Sequence, residues 1–155
     1  MSELDALDTW AGSLLAQLSA QGRRAAMIDI ARELRRSQQK RIASQKNPDG
    51  SAYAPRKPRL KPDGALRDKR GRIKRAAMFA KLRTAHFLKT EADSAGLAVG
   101  FDGRVSRVAR VHQFGEIDRV APRGVSYKYP ARALLGFTVD ERELIRDMLL
   151  KHLTK

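Results

Sequence analysis

Apolar positions along this chain change their period several times, and each change marks an element. Leu4, Leu7, Ala11, Leu14 and Leu18 recur at steps of three and four, with Trp10 and Leu15 beside them. That stripe predicts an amphipathic N-terminal helix over residues 1–20. Ser2 with Asp5 three residues on reads as a variant capping box that opens it. Two uses fit the stripe, packing on the chain's own core or packing on a neighbouring subunit, with Trp10 as the anchor in either case. Ser19–Gly22 breaks the pattern, and a longer helix follows from about Arg23 to Gln45. Its inward side carries Met27, Ile30, Ala31, Leu34 and Ile42; Arg32, Arg35, Arg36, Gln39 and Lys40 lie on its outer face. Asn47-Pro48-Asp49-Gly50 ends it as a tight turn.

Beyond that turn the pattern nearly vanishes. Between Ser51 and Arg75 the apolar residues are few (Tyr53, Leu60, Leu66, Ile73), and Pro55, Pro58, Pro62, Gly64 and Gly71 punctuate the stretch. It resumes with Met78, Phe79 and Leu82, which suggest a helical turn. Thr84–Glu91 is strand-like, Asp93-Ser94-Ala95-Gly96 reads as a turn, and Leu97, Val99 and Phe101 alternate as a half-buried strand. Val105, Val108, Ala109 and His112 return to the helical period, and Gly115 follows as a C-terminal stop. Val125, Tyr127 and Tyr129 alternate as a strand running into Pro130. Thr138 with Glu141 makes a capping box for a last helix carried by Leu144, Ile145, Met148, Leu149 and Leu153. The expectation is one α+β domain over residues 1–155, with a small antiparallel sheet built near 84–101 and 117–129. N-terminal helices and a C-terminal helix flank it, and a long basic arm projects from it.

Composition narrows the chemistry. The chain has 155 residues, no Cys, 32 Lys and Arg against 17 Asp and Glu, and a net charge of +15. Without Cys there are no disulfides, zinc knuckles or thiol catalysis. No apolar run approaches the roughly 18 residues of a membrane span, so no membrane contact is expected. The first 22 residues carry three acids and no base, unlike a secretory signal, which points to a soluble protein of a reducing compartment. Residues 23–75 hold 18 bases and 5 acids, nearly the whole excess. A segment so polar and charged as 51–75 cannot offset its ordering entropy alone, so it is expected to be flexible when free and to order on a partner. Its contact candidates, for a partner protein or for DNA, are Arg56, Lys57, Arg59, Lys61, Arg67, Lys69, Arg70, Arg72, Lys74 and Arg75.

No catalytic, cofactor or metal constellation emerges. His86, His112 and His152 are isolated, and His112 on an apolar helix face reads as a packed, satisfied side chain. Asp140, Glu141, Glu143 and Asp147 gather at a helix N-terminus, where the dipole accounts for them. No phosphate loop, nucleophile elbow or zincin pattern occurs. The expectation is a non-enzyme with no cofactor.

Particular strings then say more than composition. Ser44–Gly50, Met78-Phe79-Ala80-Lys81-Leu82-Arg83-Thr84, Gly100-Phe101-Asp102-Gly103-Arg104, Ala109-Arg110-Val111-His112-Gln113-Phe114-Gly115 and Tyr129–Phe137 occur in order. Together they resemble the phage virion morphogenesis (tail completion) family of contractile-tailed temperate phages, including Mu-like ones, over nearly the whole chain. The resemblance implies a structural virion protein that finishes the head-proximal end of the tail, so that the tail can join the filled head. It implies assembly in the host cytoplasm, a homo-oligomeric ring (a hexamer by tail symmetry), and other tail-end and neck proteins as partners, with phage DNA as a further candidate. His112, Phe114, Pro130 and Arg132, with Trp10, are the candidate fold or assembly contacts. Arg132 is expected to fork onto a carboxylate, Glu116 or Asp118. The rival reading is a small basic nucleic-acid-binding protein gripping phosphates through residues 23–75. Against it, the basic stretch has only Tyr53 as an aromatic, which leaves no base-stacking platform there.

Overall fold

A computed structural model describes residues 2–56 and 77–154. Within the basic stretch the contact candidates Lys57 to Arg75 lie outside the described residues; Arg56 lies inside them.

Among the described residues four helices and two hairpins follow one another: α1 (Glu3–Leu15), α2 (Ala20–Ala43), β1 (Leu88–Ala92), β2 (Leu97–Phe101), α3 (Ser106–Phe114), β3 (Ile117–Arg119), β4 (Ser126–Lys128) and α4 (Val139–Leu153). The class is α+β, as the changing periods predict. Both capping boxes form: the Ser2 hydroxyl accepts the Asp5 N–H at 3.1 Å, and the Thr138 hydroxyl accepts the Glu141 N–H at 3.0 Å. α2 begins three residues earlier than the apolar pattern suggested. Ser19, read as part of a break, is its N-cap, and its hydroxyl accepts the Gly22 N–H at 3.1 Å. A capping serine is polar, so a purely apolar period passes over it.

α2 is the spine. At about 1.5 Å per residue its 24 residues reach roughly 36 Å, long enough to carry two separate cores. In the first, Met27, Ile30 and Leu34 meet Leu149 of α4. Trp10, Ala11 and Leu15 of α1 and Leu97 and Val99 of β2 close around them. The stripe of α1 therefore covers the chain's own core. In the second, Ile42 meets Tyr53, Ala109 and Leu134, with Met78, Phe79, Leu82 and Phe101 around them. Tyr53 falls within the stretch 51–75, yet its N–H donates to Gln45 O at 2.8 Å and its ring is buried. Residues 51–56 are thus packed onto the fold.

β1 pairs with β2 antiparallel, Thr90 opposite Val99, and β3 pairs with β4, Asp118 opposite Tyr127. Among the described residues these are two separate two-stranded sheets, where a single sheet was expected. Alternation tells which side chains share a face; it carries no information on which strands pair. Thr84–Phe87 is no strand either. Residues 78–87 form successive turns, and Phe79 stands at φ 65°. Such a φ is costly for an aromatic residue and persists where tertiary packing holds it. Among the described residues no helix is long and apolar enough to cross a membrane.

Candidate functional site

The second core is where chemistry-bearing side chains converge, and most of them hold backbone. Residues 129–137 have no regular partner strand, so their peptide groups need other partners. Side chains of α2 and α3 supply them. The Gln113 amide oxygen accepts the N–H of Leu134 at 2.8 Å and of Leu135 at 2.9 Å, while its Nε2 donates to Leu135 O at 2.9 Å. Arg41 donates to Ala133 O at 3.1 Å and to Leu134 O at 2.7 Å. Gln38 Nε2 reaches Gly136 O at 2.9 Å, and Asn47 Oδ1 accepts the Ala133 N–H at 2.8 Å. Gln45 bridges the chain beyond the basic stretch, accepting from Met78 N at 2.8 Å and donating to Met78 O at 3.0 Å.

Arg132 is 4% exposed and does not meet a carboxylate. Its Nε donates to Ala54 O at 2.7 Å and its Nη2 to Pro55 O at 2.9 Å. The expected acids are engaged elsewhere, Glu116 with Arg110 and Asp118 with Arg107. The fork geometry is used, but on two successive carbonyls, because the chain at 54–55 passes Arg132 with its oxygens unpaired. Burial pushes the Arg132 pKa down, and the like charge of Arg56 pushes the same way.

Five rings run edge to face beside this clamp: Tyr53 on Phe79 (5.7 Å between centroids), Phe79 on His112 (4.9 Å), His112 on Tyr129 (5.1 Å) and Tyr129 on Tyr127 (4.9 Å). His112 is packed, as expected. It is not satisfied, since its buried Nδ1 meets no hydrogen-bond partner among the described residues. Burial lowers its pKa, and Arg132 adds to that. Gly115 ends α3 at φ 67°, and a Cβ there would stand 2.9 Å from Ala131 N, so only glycine lets the 129–132 chain lie against the helix end.

A groove of about 720 Å³ opens over these residues, lined by Arg56, Phe79, His112, Tyr129, Pro130 and Arg132 and overhung by the β3–β4 hairpin. The structure thus unites four sequence candidates, Arg56, His112, Pro130 and Arg132. Phe114 lies apart, 68% exposed, in a shallow concavity with Phe101, Arg107 and Leu135. Trp10 belongs to the first core, with the Arg146 guanidinium 6.0 Å from its ring centroid. On the outer face of α2, Arg32, Arg36 and Lys40 are exposed at four-residue spacing, whereas Arg35 and Gln39 are half-buried.

Sequence reasoning missed Gln38, Arg41, Gln45, Asn47 and Gln113 as the holders of this region. One signal was legible: Gln38 interrupts the spacing Leu34, Gln38, Ile42 on the buried face of α2, and a glutamine there needs a partner. Among the described residues, no three His, Asp or Glu side chains gather as a metal site would.

Polar side chains thus position irregular backbone under an open groove, with apolar side chains exposed nearby. The chain matches the phage virion morphogenesis family over residues 2–154, and it belongs to that family. It is 39% identical over 156 residues to tail completion protein S of Escherichia phage P2, with the whole of both chains covered. No solved structure matches. Its role is structural, in phage tail completion.

Proposed function

We propose that this protein finishes the head-proximal end of a contractile tail, so that the tail can join the filled head. It does so as a ring of copies, six by tail symmetry, in contact with other tail-end and neck proteins. The observation that carries this reading is the end-to-end likeness to a tail completion protein, with no part of either chain left over. The exposed side chains are compatible with it: Phe114, Ile117, Val125 and Val139 face water in the single chain and offer apolar surface for contacts between copies. A ring requires such surfaces to be complementary between copies. The test is a phage lacking this protein. Full heads and finished-length tails that stay separate under the electron microscope are expected; normal yields of infectious particles would refute the reading.

A second role, contact with phage DNA, is favoured by the stripe Arg32, Arg36 and Lys40 together with the nine bases among residues 57–76. Phosphate binding of this kind is sequence-independent and falls steeply with salt. Binding of the purified protein to random duplex DNA over a salt series decides it. Affinity that survives at physiological salt supports contact with DNA in the virion, and affinity lost there marks the charge as directed at protein.

A further inference from the structure

We infer that the groove beneath the β3–β4 hairpin is a docking site for a segment of another virion protein that bears a carboxylate among apolar side chains. The inference rests on the tail reading only for where that partner is sought.

Charge points to a carboxylate. Arg56 and Arg132 both line the groove, and among the described residues no acid does. Among the described residues neither has a carboxylate at ion-pair distance. The Arg132 fork is spent on neutral carbonyls, so its positive charge is oriented without being cancelled. Two like charges held at one groove, neither with a carboxylate partner among the described residues, favour an anionic occupant.

The walls require an apolar companion to that anion. The hairpin contributes Val120 and Val125, 47% and 78% exposed, beside Ser126 and Tyr127, and Phe79 and Tyr129 add aromatic surface. A volume of about 720 Å³ holds several side chains rather than one ion. The hairpin itself is three residue pairs long. A two-stranded sheet of that size is marginal alone and gains from a partner against it.

Nucleic acid fits less well. The exposed valines of the groove wall offer nothing to phosphates, whereas an apolar side chain beside a carboxylate uses both the wall and the charge. A second copy fits less well too. The chain carries +15, and its acidic part, residues 1–22, spends Leu7, Trp10, Ala11 and Leu15 on its own core and Glu3 on Arg142.

The experiment places a photo-crosslinking benzoylphenylalanine at Val125, irradiates purified tails, and identifies the crosslinked peptide by mass spectrometry. The expected peptide comes from a different virion protein and holds Asp or Glu within a few residues of apolar ones. In parallel, Val125→Asp and Arg56→Glu should each cut incorporation into tails roughly tenfold or more, the size of a central contact's loss, while Val125→Leu is incorporated normally. Both positions are exposed, so the purified variants should melt as the wild type does; if Val125→Asp disturbs folding, Arg56→Glu carries the test. Reversing the partner's carboxylate to Lys should restore Arg56→Glu. Crosslinks to DNA, crosslinks only to a second copy, no crosslink, or normal incorporation of Arg56→Glu would each overturn the groove proposal. Absence of the wild-type protein from tails would instead sink the tail reading, and this proposal with it.

Discussion

Around Leu34 and Leu149, α1, α2, α4 and the β1–β2 hairpin meet through mostly aliphatic side chains carried on regular helix and strand. Around Leu134 the situation is reversed. The chain at 45–56, 77–79 and 129–137 is irregular, and amides and guanidiniums, most of them from α2 and α3, tie it down across 21 to 98 residues of sequence. One end is held by burial, which is non-directional and forgiving of detail. The other is held by hydrogen bonds, each of which requires a particular atom in a particular place. The second kind of region positions surfaces accurately, and it is there that the groove lies.

Substitutions can break this contrast, beginning with the two largest effects. Leu34→Ala in the aliphatic end should cost about 2–5 kcal/mol and lower the whole unfolding transition, since the cavity left in a tightly packed site cannot collapse. Chemical denaturation measures it; a loss under about 1 kcal/mol would mean that this core is looser than its burial implies. Gln113→Leu keeps the volume and removes the acceptor for two N–H groups. It should cost about 2–6 kcal/mol, at roughly 1–3 for each of the two buried groups left unpaired. Hydrogen exchange should show where: faster exchange at Leu134 and Leu135, with the α1–α4 end unchanged.

Arg132→Lys retains charge and loses the fork. It should cost about 1–2 kcal/mol and loosen residues 54–56 before anything else. If melting and exchange at 54–56 both match the wild type, the fork geometry is dispensable. Thr138→Ala removes a local cap and should cost about 1 kcal/mol, expressed as fraying of the first turn of α4 with no effect on the groove.

The smallest effect is a dependence on pH. Burial lowers the His112 pKa in the folded state, so the folded protein binds fewer protons at this site than the unfolded chain does. Stability from this source is complete above the ordinary histidine value of about 6.5, and it is lost as pH falls from there toward the lowered folded pKa. Between about pH 7.5 and pH 5 the wild type should therefore lose more stability than His112→Gln does. Equal losses would show that His112 is not the source.

Legibility followed the same division. The capping boxes, the buried side of α2, the Gly115 stop and the turn at 93–96 are all local, and the pattern revealed them. The start of α2 was missed because its cap is a polar residue beside a glycine. Thr84–Phe87 was read as strand because it runs without a break into β1, whereas its backbone forms turns. Of the groove, the sequence pointed to Arg56, His112, Pro130 and Arg132 singly, and nothing in it placed them together.

What the sequence by itself determined, then, is what depends on neighbours within about one helical turn or one tight turn: the helices, the capping boxes of α1 and α4, the turn of the β1–β2 hairpin and the concentration of positive charge between 23 and 75. The ordered strings carried the family as well. The tertiary structure alone decided that the hairpins stay apart, that Arg132 grips the carbonyls of residues 54 and 55 rather than Glu116 or Asp118, and that Phe79 takes a left-handed backbone under His112. The reason is physical. A peptide carbonyl is the same acceptor at every position, so residue types cannot say which one a distant guanidinium will reach until the chain has folded.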